Sequence, residues 1–211
     1  KGVDLSKSGV SRLLRHLGLS PQVPVYRSYK QDPKALDRYL KETFPEVRRL
    51  ARRTGAEIYF VDEAAVRSDA HRGTTWGKEG ETPVVEDSGD RFGMNMISAV
   101  SPRGDMRFAT FEGRMNSARF IRFLKKLRKD AGRPIIVILD NAGYHKSGAV
   151  KRFAVDTKGE VTLEYLPPYA PELNPDEQVW NQAKARLSKL YIASKDQMKV
   201  AMLSILHSLQ A

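Results

Sequence analysis

Cysteine is absent from the 211 residues, which excludes disulfides and thiolate metal sites and fits a cytosolic protein. Only 4 histidines are present, and they do not cluster, so a histidine-rich metal centre is not expected either. No stretch reaches 18 uninterrupted apolar residues, and no charged segment leads into an apolar one as in a signal peptide; neither a membrane span nor a membrane partner is expected. Internal repeats and low-complexity tracts are missing too. What remains is the composition of one well-packed domain with a small attachment.

Charge of one sign is in excess. The net charge is +11, of which residues 1–56 hold +8 and residues 57–211 only +3. A basic front is where a polyanion such as nucleic acid would dock, although a merely solvated basic surface has the same composition.

The strongest local signal is residues 135–145, IIVILDNAGYH, in which five consecutive apolar residues run into Asp140 and then into turn chemistry. The run is short, mostly β-branched and entered through Gly132, Arg133 and Pro134, so it reads as a central strand covered on both faces. Ligands of open α/β sheets bind beyond the carboxyl ends of the strands, which is where Asp140 stands.

The chain divides into residues 1–31, 32–55 and 56–211. Residues 6–17, SKSGVSRLLRHL, place Val10, Leu13, Leu14 and Leu17 on one helical face and Ser8, Ser11, Arg12 and Arg15 on the other. Hydroxyls and guanidiniums in that pattern suit phosphates and base edges, as they also suit an ordinary basic surface helix. One amphipathic helix cannot bury its own face, so it needs either further helices preceding Lys1 or the main domain to pack on. Residues 20–31 read as an extended linker. Asp32 and Pro33 start a helix whose apolar side is Leu36, Tyr39, Leu40, Val47 and Leu50, kinked or divided at Pro45 and ended by Gly55.

Strands are predicted at residues 57–61, ending in Asp62, and at 92–100, 106–112, 135–139 and 161–166, with a loop and hairpin at 72–85. Helices are predicted at 117–131, 147–156, 176–190 and from 194 onward. Trp76 and Trp180 are assigned to the core. This order indicates an α/β domain whose mixed sheet is antiparallel in its first half.

If the first and central strands lie side by side and parallel, about 4.8 Å apart, Asp62 and Asp140 converge on one point. Glu177, at the start of a helix and about 60° round from the stripe of Trp180, Ala183, Leu187 and Leu190, can border the core and reach that point; Glu172 competes for the role. Three carboxylates without thiols or clustered imidazoles suit Mg²⁺ or Mn²⁺. Two such ions about 3.5–4 Å apart can activate a water or a 3′-hydroxyl against a phosphodiester. Asn141 and His145 could support that site or simply shape the turn. Asn174 could cap the helix of Glu177, and the basic stretch Arg119, Arg122, Lys125, Lys126 and Arg128 could meet DNA or solvent.

The segments VDEAAVRSD (61–69), RGTTWGKEGETP (72–83), LDNAGYHKS (139–147) and LPPYAPELNPDEQVW (166–180) resemble the successive signatures of a DDE-type transposase. The branch they resemble is the bacterial insertion-sequence branch of the mariner-like superfamily. The resemblance covers about residues 57–190 and implies a ribonuclease-H-like fold, a mixed five-stranded sheet flanked by helices. By it, Asp62, Asp140 and Glu177 are the metal-binding catalytic triad, Glu177 taking the place of the acid in the family's "NP-x-E" segment. Mg²⁺, with Mn²⁺ as a substitute and two ions in the site, is the implied cofactor. The front segment is similar to the end of a winged helix-turn-helix region whose earlier helices would precede Lys1, with Ser11, Arg12 and Arg15 as candidate DNA-binding residues. The implied function is cleavage at transposon ends and strand transfer into target DNA at TA dinucleotides. The implied assembly is a homodimer on double-stranded DNA in the bacterial cytoplasm, associated with the nucleoid. The rival readings are a stand-alone ribonuclease-H-like nuclease and a captured transposase that only binds DNA.

Overall fold

Five strands join into one mixed sheet in the order β3-β2-β1-β4-β5: β1 (Glu57–Arg67), β2 (Gly93–Val100), β3 (Met106–Phe111), β4 (Ile135–Leu139) and β5 (Val161–Tyr165). The computed structural model describes residues 6–22, 28–68, 76–84 and 90–210. β1 and β2 pair antiparallel, as do β2 and β3, whereas β4 lies parallel between β1 and β5. The antiparallel strands β2 and β3 follow one another through a short turn. The parallel pairs need crossovers, supplied by helices α4 (Ser117–Ala131) and α5 (Gly148–Asp156). All five residues of β4 are buried, as a strand covered on both faces requires.

Strand alternation sorts β1 into two rows. Tyr59 and Val61 face one layer, where Phe120, Phe123, Leu124 and Leu127 of α4 and Val150 of α5 complete the core. Ile58 and Phe60 face the opposite layer, against Tyr39, Val47 and Ala51 from the helices that precede the sheet. On that same face Ala64 and Val66 meet α6 (Asp176–Leu187) and α7 (Lys195–Gln210) through Trp180, Ala183, Leu187, Met198 and Met202.

Several expectations from the sequence need correction. β1 does not stop at Val61: β2 pairs with it from Phe60 to Arg67, so tertiary hydrogen bonding carries the strand past its apolar run. Pro45 does not divide its helix. The chain runs helically from α2 (Pro33–Arg38) through a π-helical turn (Tyr39–Thr43) into α3 (Phe44–Thr54), and the wider turn makes room for the proline ring inside the first turn of α3. Leu40 consequently points outward, 50% exposed. Trp76 is 99% exposed rather than in the core, whereas Trp180 is 1% exposed, so only the latter has a packing role. Residues 76–84 contain no strand; the remainder of the expected hairpin lies outside the described residues. α6 ends at Leu187, leaving Leu190 half exposed beyond it.

The front helix, α1 (Lys7–His16), starts at an N-cap on Ser6 but buries no residue, and Val10, Leu13, Leu14 and Leu17 are all exposed. Packing of this face on the main domain is therefore not what the structure shows. No helix among the described residues is long and apolar enough to cross a membrane.

Candidate active site

The last parallel pair between β1 and β4 joins Phe60 to Ile138, and Asp62 and Asp140 each stand two residues beyond it. Register alone thus sets the two acids side by side at the carboxyl end of β4. Glu177 arrives from the first turn of α6. All three acids line one cavity of about 490 Å³, together with Asn141, Asn174 and the turn from Leu166 to Pro171. Glu172 does not line it; its Oε1 accepts a hydrogen bond from Gln31 Nε2 at 2.6 Å on the outside of the same turn.

Asn174 holds α6 against the sheet. It is not the N-cap, a position Pro175 takes without a side-chain cap; instead its Oδ1 accepts the Asp176 backbone N–H at 3.2 Å, and its Nδ2 donates to the Val61 carbonyl at 3.3 Å. Asn141 makes a comparable tether, its Nδ2 donating to the Leu166 carbonyl at 2.7 Å and so tying the exits of β4 and β5 together. Tyr169 adopts a left-handed backbone with φ 58° and leaves its side chain half exposed at the cavity.

His145 has no exposed surface. Its Nδ1 lies 2.8 Å from Asp140 Oδ1, its Nε2 lies 3.2 Å from Glu63 Oε1, and Glu63 Oε2 accepts the Tyr144 hydroxyl at 2.7 Å. Asp140 Oδ1 accepts a second hydrogen bond, from the Ala142 backbone N–H at 2.9 Å.

The electrostatics follow from this arrangement. Burial pushes the Asp62 carboxyl up to about 7, helped by the charges of Glu177, Glu63 and Asp140 and opposed by a backbone hydrogen bond. The His145 hydrogen bond holds Asp140 below the usual carboxylate range against its partial burial, with Ala142 and Lys146 assisting. Burial would lower His145, but hydrogen bonds and charge from Asp140 and Glu63 overcome it and raise the ring to about 9. Asp176, beside Glu177, is fully buried and raised well above the ordinary value, mainly by desolvation; Ser98 Oγ donates to its Oδ1 at 2.6 Å.

Glu63 and Asp176 were not singled out from sequence. The expected end of the first strand at Val61 put Glu63 in a loop, where alternation says nothing. Asp176 stands at the start of the helix expected at 176–190, where an acid is ordinary and nothing local signals burial. Of the basic stretch on α4, Arg122, Lys125, Lys126 and Arg128 are exposed, and three of its five residues also touch the protein itself. Arg119 donates to the Arg114 carbonyl, Arg128 pairs with Glu160, and Lys125 lies 5.8 Å from the Phe153 ring centre. Ser11, Arg12 and Arg15 stand on α1, and no hydrogen bond or ion pair among the described residues joins them to the acids.

Among the described residues, no three acid or imidazole side chains are already drawn into a finished cation cage. The donor set nonetheless fits a hard cation, because carboxylate oxygens with little opposing charge line the cavity and repel one another strongly enough to help raise Asp62.

A family described as DDE superfamily endonuclease matches residues 57–199, and one described as winged helix-turn helix matches residues 1–43. A curated protein of Sinorhizobium fredii (strain NBRC 101917 / NGR234), the uncharacterized protein y4pE/y4sA, is 43% identical over 51 residues. That match is 24% of this chain and 34% of the relative, so the chain spans about a third of the relative's length. The structure of the Mos1 transposase paired-end complex with left transposon end superposes with a TM-score of 0.63 at 18% identity, over 98% of this chain and 68% of that one. The Mos1 mariner paired-end complex with Mn gives a TM-score of 0.63 at 16% identity, over the same shares. At such identities the likeness establishes the ribonuclease-H-like fold alone. The family match spans the whole sheet and most of the helices packed on it, with all three cavity acids inside it, and by that match this chain belongs to the DDE superfamily endonucleases.

Proposed function

We propose that the chain carries the catalytic core of a DNA transposase, cutting phosphodiesters at transposon ends and joining the freed ends to target DNA. The observation that supports this most is the meeting of Asp62, Asp140 and Glu177, drawn from three separate stretches of sequence, on one cavity at the carboxyl end of β4. Those three side chains would hold Mg²⁺ or Mn²⁺, which supplies Lewis-acid activation of the attacking oxygen and charge stabilisation of the leaving one. The Mos1 complex with Mn supports the choice of ion, and the transposon end in the other supports the choice of substrate.

Within that reading, burial and the charges of Glu177, Glu63 and Asp140 favour the protonated form of Asp62, and its proton must leave before it can act as a ligand. Asp140 is held ionised and oriented by His145 and the Ala142 N–H. Asn174 and Asn141 keep α6 and the β5 exit at the distance the cavity needs. Hydrolysis adds water to phosphorus and expels the 3′-oxygen as a hydroxyl. In strand transfer that hydroxyl attacks a target phosphodiester and displaces a 3′-oxygen in turn, so no cofactor is consumed. Residues 1–31 serve as part of the DNA-binding region, 32–55 connect, and 56–211 form the catalytic domain, working as a homodimer on double-stranded DNA.

The test is nicking of supercoiled plasmid with Mn²⁺, Mg²⁺ or chelator. The expected result is metal-dependent nicking that falls by about 10³-fold in Asp140→Ala, since the contribution of such a site is several kcal/mol. Equal nicking by both proteins would reject the assignment, and metal-independent DNA binding without nicking would favour a DNA-binding role.

A further inference from the structure

We propose that Glu63 is a positioning residue of this site: acting through His145, it sets the orientation in which Asp140 offers its carboxylate to the cavity. The inference rests on the reading of Asp140 as a metal-binding acid and adds a residue to it.

Neighbouring residues of a strand point to opposite faces. Asp62 faces the layer of α6, so Glu63 continues the row of Tyr59 and Val61 and enters the layer under α4 and α5. A carboxylate there, with its side chain only 15% exposed, needs partners for both oxygens, and it has them in Tyr144 Oη and His145 Nε2. It is therefore not free to turn towards Asp62 as a fourth ligand.

The histidine is held just as firmly. Its ring centre lies 4.4 Å from those of both Phe120 and Tyr144, and its backbone carbonyl accepts the Tyr165 hydroxyl at 3.0 Å. Both ring nitrogens face carboxylate oxygens, Glu63 on one side and Asp140 on the other, so the ring transmits the position of one acid to the other.

Asp140 itself has little else to fix it. It follows the last residue of β4 in an irregular segment, and its side chain is 55% exposed. Both of its hydrogen bonds go to Oδ1, which leaves Oδ2 as the oxygen with lone pairs to offer to a cation. Removing the Glu63 carboxylate would leave His145 Nε2 and the Tyr144 hydroxyl buried without acceptors. The ring would then be drawn away from Asp140 to satisfy them. Partners that orient a metal ligand typically account for 10–100-fold in metal affinity.

The test is Mn²⁺ binding to the full chain by water-proton relaxation at millimolar metal. The proteins are wild type, Glu63→Met, Glu63→Gln, Asp140→Asn and the Glu63→Met/Asp140→Asn pair, each first shown to melt cooperatively. Methionine keeps the length of the side chain and removes the acceptors; if it does not fold, Glu63→Ala takes its place with the same expectation. Glu63→Met should weaken Mn²⁺ by about tenfold or more. Glu63→Gln, which keeps an acceptor for His145, should stay within about threefold, and in the Asp140→Asn background Glu63→Met should cost nothing further. Undiminished binding in Glu63→Met, with Asp140→Asn weakened, overturns the proposal while leaving the metal site standing. An equal loss in both backgrounds overturns it as well, because Glu63 would then act independently of Asp140. If Asp140→Asn itself binds Mn²⁺ like wild type, the reading of Asp140 falls and takes the proposal with it.

Discussion

At the residue scale, the site stores opposing protonation preferences within one hydrogen-bonded neighbourhood. Asp62 titrates at about 7 in the folded chain, well above the ordinary aspartate value of 3.8, so the native state binds the extra proton and stability falls as pH rises across that interval. His145 titrates at about 9 against an ordinary 6.5, so its contribution is complete below 6.5 and is lost as pH rises towards 9. Calorimetry on chelator-treated protein should therefore show Tm declining from about pH 4 upward. Asp62→Asn should flatten the lower part of the decline and His145→Gln the upper part; a Tm that climbs between pH 6.5 and 9 would contradict this. Mg²⁺ should raise Tm more at pH 8 than at pH 5.5, because protons compete with it for Asp62. Asp176 leads to a different expectation. Burial raises the Asp176 carboxyl well above its ordinary value and so favours its uncharged form, which Asp176→Asn imitates in size while able to keep the Ser98 hydrogen bond. Its stability should stay within about 1 kcal/mol of wild type by urea denaturation, and it should nick DNA where Glu177→Gln does not.

At the scale of elements, α6 delivers an acid to the cavity, and two contacts fix where it sits. Trp180, 1% exposed, anchors it against Ala64, Val66 and the methionines of β2 and α7, and Trp180→Ala should cost about 3–5 kcal/mol in urea denaturation. Asn174→Ala removes both a helix-start hydrogen bond and the tether to the Val61 carbonyl. Its stability cost should be near 1–2 kcal/mol, and the loss of nicking should be larger than that cost explains, since the displaced helix carries Glu177. The pairing of β1 with β2 ends at Gly93, opposite Arg67, where a Cβ would lie 2.9 Å from the Val66 carbonyl oxygen.

At the scale of the whole molecule, the basic excess of residues 1–56 is carried partly by α1, a helix that buries nothing. Substitutions there act on binding without touching the core. Arg12→Ala with Arg15→Ala should leave Tm unchanged and weaken binding to double-stranded DNA. The slope of log affinity against log salt should fall by up to about 2, near 0.9 for each phosphate that no longer meets a guanidinium. An unchanged slope in a fluorescence-anisotropy titration would remove α1 from the DNA interface.

How much was legible beforehand differed with the range of the forces involved. Local chemistry wrote itself into the sequence. The apolar run 135–139 is β4, the helices expected at 117–131 and 147–156 are α4 and α5, and Asp32 with Pro33 opens α2, because turns, helix starts and short buried strands depend on neighbours a few residues away. Asp62, Asp140 and Glu177 could be nominated for the same reason, each standing at or near the end of a recognisable element. What only the tertiary structure decided is everything that requires a partner distant in the chain. β2 extended β1 past its apolar residues, 81 residues separate Glu63 from the Tyr144 hydroxyl it accepts, and the Trp76 side chain stands almost wholly in solvent. Sequence determined which residues could do the chemistry; pairing register and helix docking decided which of them meet, because those rest on contacts between segments that no local pattern links.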